Sequence, residues 1–201
     1  MSGKLNFFRI KTAVIFQSEH LRMIPIETTR LILEPAKLVD AEQVQVLFPH
    51  WEIVKYLDAI VPWPYPRDGV ETFYRSVVLP GMERNERWHW ALRFKTSPEQ
   101  IIGGVNLNVG DDNRGFWLGL SWHRQGLMTE ACDAATDYWF NVLGFTVLRV
   151  AKAIANAGSR RISEKQGMRV VAVEERDYVC GRLPAEVWEI TAEEWRAQRK
   201  P

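Results

Sequence analysis

One ten-residue stretch carries the clearest chemical signal in this chain: Trp122-His123-Arg124-Gln125-Gly126-Leu127-Met128-Thr129-Glu130-Ala131. Ahead of it, Gly115-Phe116-Trp117-Leu118-Gly119-Leu120 is an apolar run too short for a helix and bounded by turn residues, so it reads as a strand. Behind it, Leu127, Ala131, Ala134, Ala135, Tyr138 and Val142 recur at helical spacing. Thr129, Glu130, Asp133, Thr136, Asp137 and Asn141 fill the opposite face, and Gly144 closes the helix. The first N–H groups of such a helix have no partners within it. With the positive end of the dipole they form an anion site, and Gly126 lets a phosphate approach the backbone. An ordinary strand-to-helix turn has the same pattern, and from the turn alone that is the better reading.

The other residues with chemical capacity are scattered. The chain has four histidines. His89 lies between two tryptophans on a strand, where a packed, hydrogen-bonded ring competes with a catalytic base. Cys132 and Cys180 fit no metal spacing, and no metal site is expected. Pro62-Trp63-Pro64-Tyr65-Pro66 is neither helix nor central strand, because its prolines fix φ and remove donors. This stiff aromatic loop is either a hydrophobic plug over the sheet end or one wall of a binding pocket, with Trp63 and Tyr65 as its lining.

A second signature follows the central helix: Asn156-Ala157-Gly158-Ser159, then Glu164-Lys165-Gln166-Gly167-Met168. Together the two stretches resemble the acyl-CoA loop and the Asn-x-x-Ser…Glu-Lys-x-Gly-Phe/Met run of the GNAT N-acetyltransferase superfamily. They are most similar to the branch that acetylates the N-terminal residues of ribosomal proteins. The resemblance covers roughly Ile26 to Ile190. It departs from the pattern at His123, where Gln or Arg is usual, at Arg124, which replaces a common Gly, and at Met128.

The resemblance implies acetyl transfer from acetyl-CoA to an amine. His123, Arg124, Gln125, Gly126, Leu127, Met128 and Thr129 would hold the coenzyme's pyrophosphate. Backbone groups of Leu118 and Leu120 would bond pantetheine between two splayed parallel strands, and Asn156 and Ser159 would add contacts beyond helix capping. Ser163 stands where many relatives carry a tyrosine that protonates the departing thiolate, so it is the named acid. The aromatic loop becomes the acceptor wall. No carboxylate stands out as the base. The acceptor is a protein or peptide N-terminus in one reading and a small amine in another; a coenzyme-binding module without catalysis is the third.

The composition, 46% hydrophobic and 25% charged, is that of one globular domain. Residues 1–22 read as an N-terminal extension, with Thr12–Phe16 as a possible strand, and 23–201 as the domain. Lys plus Arg number 26 against 25 for Asp plus Glu, which writes no general attraction to nucleic acid. No run is long enough to cross a bilayer and no secretory pattern is present, so the expected place is the cytoplasm, as a monomer or homodimer. An antiparallel meander (Arg30–Glu34, Trp88–Phe94, Ile101–Val109, then the strand before the loop) leads into a crossover helix. A parallel strand at Leu148–Ala155 and a closing hairpin with its turn at Gly181–Pro184 follow. Asp40 reads as an N-cap for the first helix, a helix from Arg67-Asp68 ends by Pro80-Gly81, and Lys95–Gln100 is turn chemistry. The fold class is α+β, a mostly antiparallel twisted sheet flanked by helices.

Overall fold

The computed structural model describes residues 23–199; the expected strand at Thr12–Phe16 lies outside them. Five strands form the first sheet in the order of the chain: β1 (Ile26–Glu27), β2 (Leu31–Pro35), β3 (Arg87–Phe94), β4 (Ser97–Asn108) and β5 (Arg114–Leu118). Every ladder in it is antiparallel. A second sheet pairs β6 (Val147–Ala153) with β8 (Gly181–Thr191), and β8 with β7 (Arg169–Tyr178). The architecture is therefore α+β, as the patterning expects.

The functional geometry comes from the seam between the sheets. β5 and β6 belong to different ladders, and they meet at their N-terminal ends through Asn113. Its backbone N–H donates to Arg149 O at 2.8 Å, and its Oδ1 accepts from Arg149 N–H at 2.7 Å. Three residues further along each strand, the Lys152 ammonium lies 5.1 Å from the Phe116 ring. The two strands thus run in the same direction, and past Asn113 each keeps its hydrogen bonds for its own sheet. A gap opens between them.

Helices cover both faces. On one side α5 (Leu127–Asn141) buries Leu127, Met128, Ala131, Cys132, Ala135, Tyr138, Trp139 and Phe140 against the sheet. Trp139 stacks on Phe145 and donates its indole N–H to Val147 O, locking the helix end to the start of β6. α6 (Ala157–Lys165) lies beside it, and α7 (Ala192–Ala197) seats Trp195 in the same core. The opposite face carries α1 (Ala41–Leu47), α2 (Trp51–Val54), α3 (Gly69–Phe73) and α4 (Leu79–Glu83).

Several local expectations are corrected. Asp40 was expected to cap α1. It instead ends a 3₁₀ turn, with its buried carboxylate accepting from Lys37 N–H and from Arg93. Pro80-Gly81 was expected to end a helix. The chain passes through them because a π turn at Tyr74–Val78 adds a residue just before the proline, with Leu79 N–H bonding Tyr74 O. The turn expected over 95–100 shrinks to Lys95-Thr96, since Phe94 already pairs with Ser97. The closing hairpin turns at Val179-Cys180 rather than at 181–184. Thr136 and Val142 exchange places: Thr136 is fully buried and Val142 is exposed.

Candidate active site between the two sheets

The loop between β5 and α5 is built on close packing at its start. At Gly119 a Cβ would sit 2.5 Å from the Trp122 ring, so only glycine lets that indole lie against the strand end. β5 stops at Leu118, and Leu120 begins a 3₁₀ turn instead of extending the strand. This corrects the expectation that both residues present strand backbone to a ligand. Gly119 N–H bonds Ile102 O. By the alternation of an antiparallel ladder, the N–H and C=O of Leu118 then point away from β4 and into the gap. That carbonyl accepts a 2.8 Å bond from His123 Nε2, so the proton sits on Nε2. His123 therefore uses its ring to tie the loop to the end of β5.

Arg124 and Gly126 both adopt left-handed φ, 62° and 76°. They turn the chain sharply into α5, whose first internal bond runs from Glu130 N–H to Gly126 O. No side chain caps this end. The N–H groups of Leu127, Met128 and Thr129 are accordingly left to face outward, at the positive end of a 15-residue helix. Leu127 and Met128 have buried side chains, so what they offer a ligand is backbone.

A brace missed in the sequence holds this loop. Glu130 accepts from Thr28 Oγ1 at 2.6 Å, from Arg30 N–H at 2.8 Å and from Arg30 Nε at 2.7 Å. Arg30 Nη1 also donates to Gln125 O at 3.0 Å. Burial alone would raise the Glu130 carboxyl; the bonds from Thr28 and Arg30 outweigh it and hold the group below the usual carboxylate range. The signal was available only as a Glu one turn into a helix, which reads as a solvent-facing residue.

Across the gap, Asn156 Oδ1 accepts from Ser159 N–H and caps α6. Ser159 Oγ bonds Lys152 Nζ at 2.8 Å. Ser163 lies one turn further along the same face of α6, fully buried, its hydroxyl without a partner. Leu118 and residues 123–129 thus lie on the β5 side of the gap, and Asn156, Ser159 and Ser163 on the β6 side.

Trp63, Tyr65 and His89 lie on the other face. The Trp63 ring is 5.5 Å from Trp51, both exposed. Tyr65 meets Phe48 edge-on at 5.2 Å, and Phe48 meets Trp117 of β5 at 5.5 Å. This aromatic wall reaches from the proline-rich loop to the edge of the gap. His89 is 6.1 Å from Phe73, and its Nε2 is sealed from solvent without a partner. Burial, aided by Arg87, lowers its pKa from 6.5 to about 3. The folded state therefore holds this ring neutral while the unfolded chain takes up a proton below pH 6.5, so stability falls as pH drops from 6.5 toward 3. Thermal melts should show that loss, and His89→Leu should flatten it between pH 6.5 and 4. An unchanged profile in the variant would exclude His89 as its source.

Among the described residues no group of three metal-ligating side chains occurs, and no helix is long and apolar enough to cross a membrane.

Three comparisons with known proteins bear on the family of the chain. A family model described as an acetyltransferase (GNAT) domain matches residues 30–169. The probable N-acetyltransferase YjcK of Bacillus subtilis (strain 168) is 29% identical over 92 residues, 43% of this chain and 50% of that protein, so the match spans about half the length of that relative. Among solved structures, the ribosomal-protein-S5-alanine acetyltransferase of Vibrio fischeri superposes with a TM-score of 0.73 at 14% identity, covering 89% of this chain and 100% of the other. The spermidine N-acetyltransferase of Vibrio cholerae, in complex with CoA and spermine, gives 0.69 at 17% identity, covering 83% and 98%. At those identities the structures speak for the fold, while the family model spans most of the chain. The chain belongs to the GNAT acetyltransferase family.

Proposed function

We propose that this protein is an acetyl-CoA-dependent N-acetyltransferase whose acceptor is the primary amine of a peptide or protein N-terminus. The observation that carries the reading is the seam between the two sheets, with an uncapped helix N-terminus beside it, a strand N–H at Leu118 turned away from β4 and exposed aromatic rings on the other face. The pyrophosphate belongs at the N–H groups of residues 127–129, and the pantetheine arm between β5 and β6. The acetyl group then emerges toward the face bearing Trp63, Tyr65 and Trp117.

In this arrangement the amine attacks the thioester carbon, and negative charge builds on the thioester oxygen. Leu118 N–H, turned away from β4, would stabilise it as a backbone donor already in place before the reaction. The amine must first lose a proton, since it is mostly protonated at neutral pH. Holding amine and thioester together in the cleft supplies a large part of the rate without a strong base.

A thiol-release assay with acetyl-CoA across N-terminal peptides and small amines, polyamines included, tests the reading. Turnover highest with peptides is the expected result. Preference for polyamines would move the acceptor to the small-amine class. No thiol release with any amine, in a protein that binds acetyl-CoA, would leave a coenzyme-binding module.

A further inference from the structure

Lys152 is a buried cation that none of the steps above uses. It follows Leu148 and Val150 on the face of β6 turned toward α5 and α6, while Ala153 on the opposite face packs with Tyr56 and Tyr178. Its ammonium crosses the gap to the Phe116 ring of β5 and is anchored by Ser159 Oγ. It thus spans the seam three residues past the Asn113 contact, on the side away from the aromatic wall.

From these contacts we propose that Lys152 is the general acid of the reaction, donating a proton from Nζ to the coenzyme sulfur as the carbon–sulfur bond breaks. The inference rests on the acetyltransferase reading. The amine nitrogen forms its bond to the acetyl carbon, the carbon–sulfur electron pair passes to sulfur, and the Nζ proton converts the thiolate to a thiol. Lys152 is left neutral and regains a proton from solvent before the next turnover. The acceptor amine releases its own surplus proton to water.

The surroundings suit a proton that is easily given up. Burial comes first and Arg114 second in drawing the Lys152 pKa down from 10.5 to about 7. Arg114 on β5 is itself buried and bonded to Thr136 and to Gln166 Oε1, not to a carboxylate. Gln166 in turn holds Asp133 of α5 at 2.8 Å. The remaining groups facing Lys152 are the buried Cys132 thiol on α5, Glu186 opposite it on β8, and Asp112 at the apex. Glu186 is taken up by Arg160 of α6 at 2.8 Å, and Asp112 lies 3.5 Å from Arg176. No carboxylate therefore holds the ammonium in place. Ser163, the acid named by resemblance, offers only a neutral hydroxyl that gives up a proton far less readily.

The experiment compares wild type, Lys152→Met and Lys152→Arg in the full chain. Acetyl-CoA binding is followed by calorimetry, and thiol release is followed from pH 5.5 to 9.5. Lys152→Met should keep acetyl-CoA affinity within about threefold and lower kcat at least thirtyfold. It should also lose the descending limb that wild type shows near pH 7. Lys152→Arg should fall as far, because a guanidinium keeps the charge but does not release its proton. Because the folded pKa lies below the unfolded one, the buried cation weakens the fold fully below pH 7 and progressively less up to 10.5. Lys152→Met should consequently melt higher than wild type at pH 6. A folded Lys152→Met that retains the limb, or a Lys152→Arg with wild-type kcat, overturns the proposal. So does a Lys152 ε-methylene that titrates above pH 9 by NMR in wild type with coenzyme A bound. A wild-type protein that binds no acetyl-CoA would instead overturn the acetyltransferase reading on which the proposal stands.

Discussion

Gly126→Val is expected to weaken acetyl-CoA binding by about 2–4 kcal/mol, roughly a thirtyfold to thousandfold rise in Kd. The structural cause is the backbone. Gly126 sits at φ 76°, where a β-branched residue is strained, and relief of that strain swings the N–H groups of residues 127–129 off the phosphate. Crowding within the protein is minor, because a Cβ at 126 would meet only Arg30 Nη2, at 3.6 Å. The helix behind the loop should survive, held by its own buried face and by the Glu130 brace. Calorimetric titration of the folded variant decides the matter, and wild-type affinity would remove the phosphate-loop assignment. Arg124→Ala should cost less, since an exposed cation is screened by solvent.

Asn113→Ala is expected to destabilise the protein by about 2–4 kcal/mol and to lower kcat as well. The buried Asn113 side chain accepts from Arg149 N–H and donates to Asn108 O and Gly110 O, so alanine removes all three bonds at the apex. The Arg149 N–H and two carbonyls would be left without those partners, which is the costly form of losing a hydrogen bond. The apex also sets how far apart β5 and β6 stand, so catalysis should suffer beyond what stability explains. A denaturant melt together with kcat on the folded fraction provides the check. A variant within about 0.5 kcal/mol of wild type would show that the seam does not depend on Asn113.

The elements legible in the sequence are those written by local chemistry. An apolar run, a glycine and a 3.6-residue period placed β5, the loop and α5 where the structure has them. Asn156 capping Ser159 was legible for the same reason, since a cap is a contact across three residues. What was hidden depends on partners distant in the chain. Thr136 reads as solvent-facing until Arg114, 22 residues earlier, requires an acceptor beneath the sheet. Glu130 reads the same way until Thr28 and Arg30 arrive from β2's approach. Lys152 carries no mark of burial in a strand pattern, because β6 is covered by α5 and α6 only after both sheets have formed. Pro80-Gly81 shows the converse: strong local stop signals were overridden by one π turn that absorbed them.

On the function proposed above, the coenzyme lies between β5 and β6 with its phosphates on the turn before α5. Backbone amide NMR during titration with acetyl-CoA tests this placement, because it reports each N–H separately. That placement predicts saturable shifts and new exchange protection at Leu118 and at residues 126–129. Saturable acetyl-CoA binding that leaves those amides unmoved would contradict it.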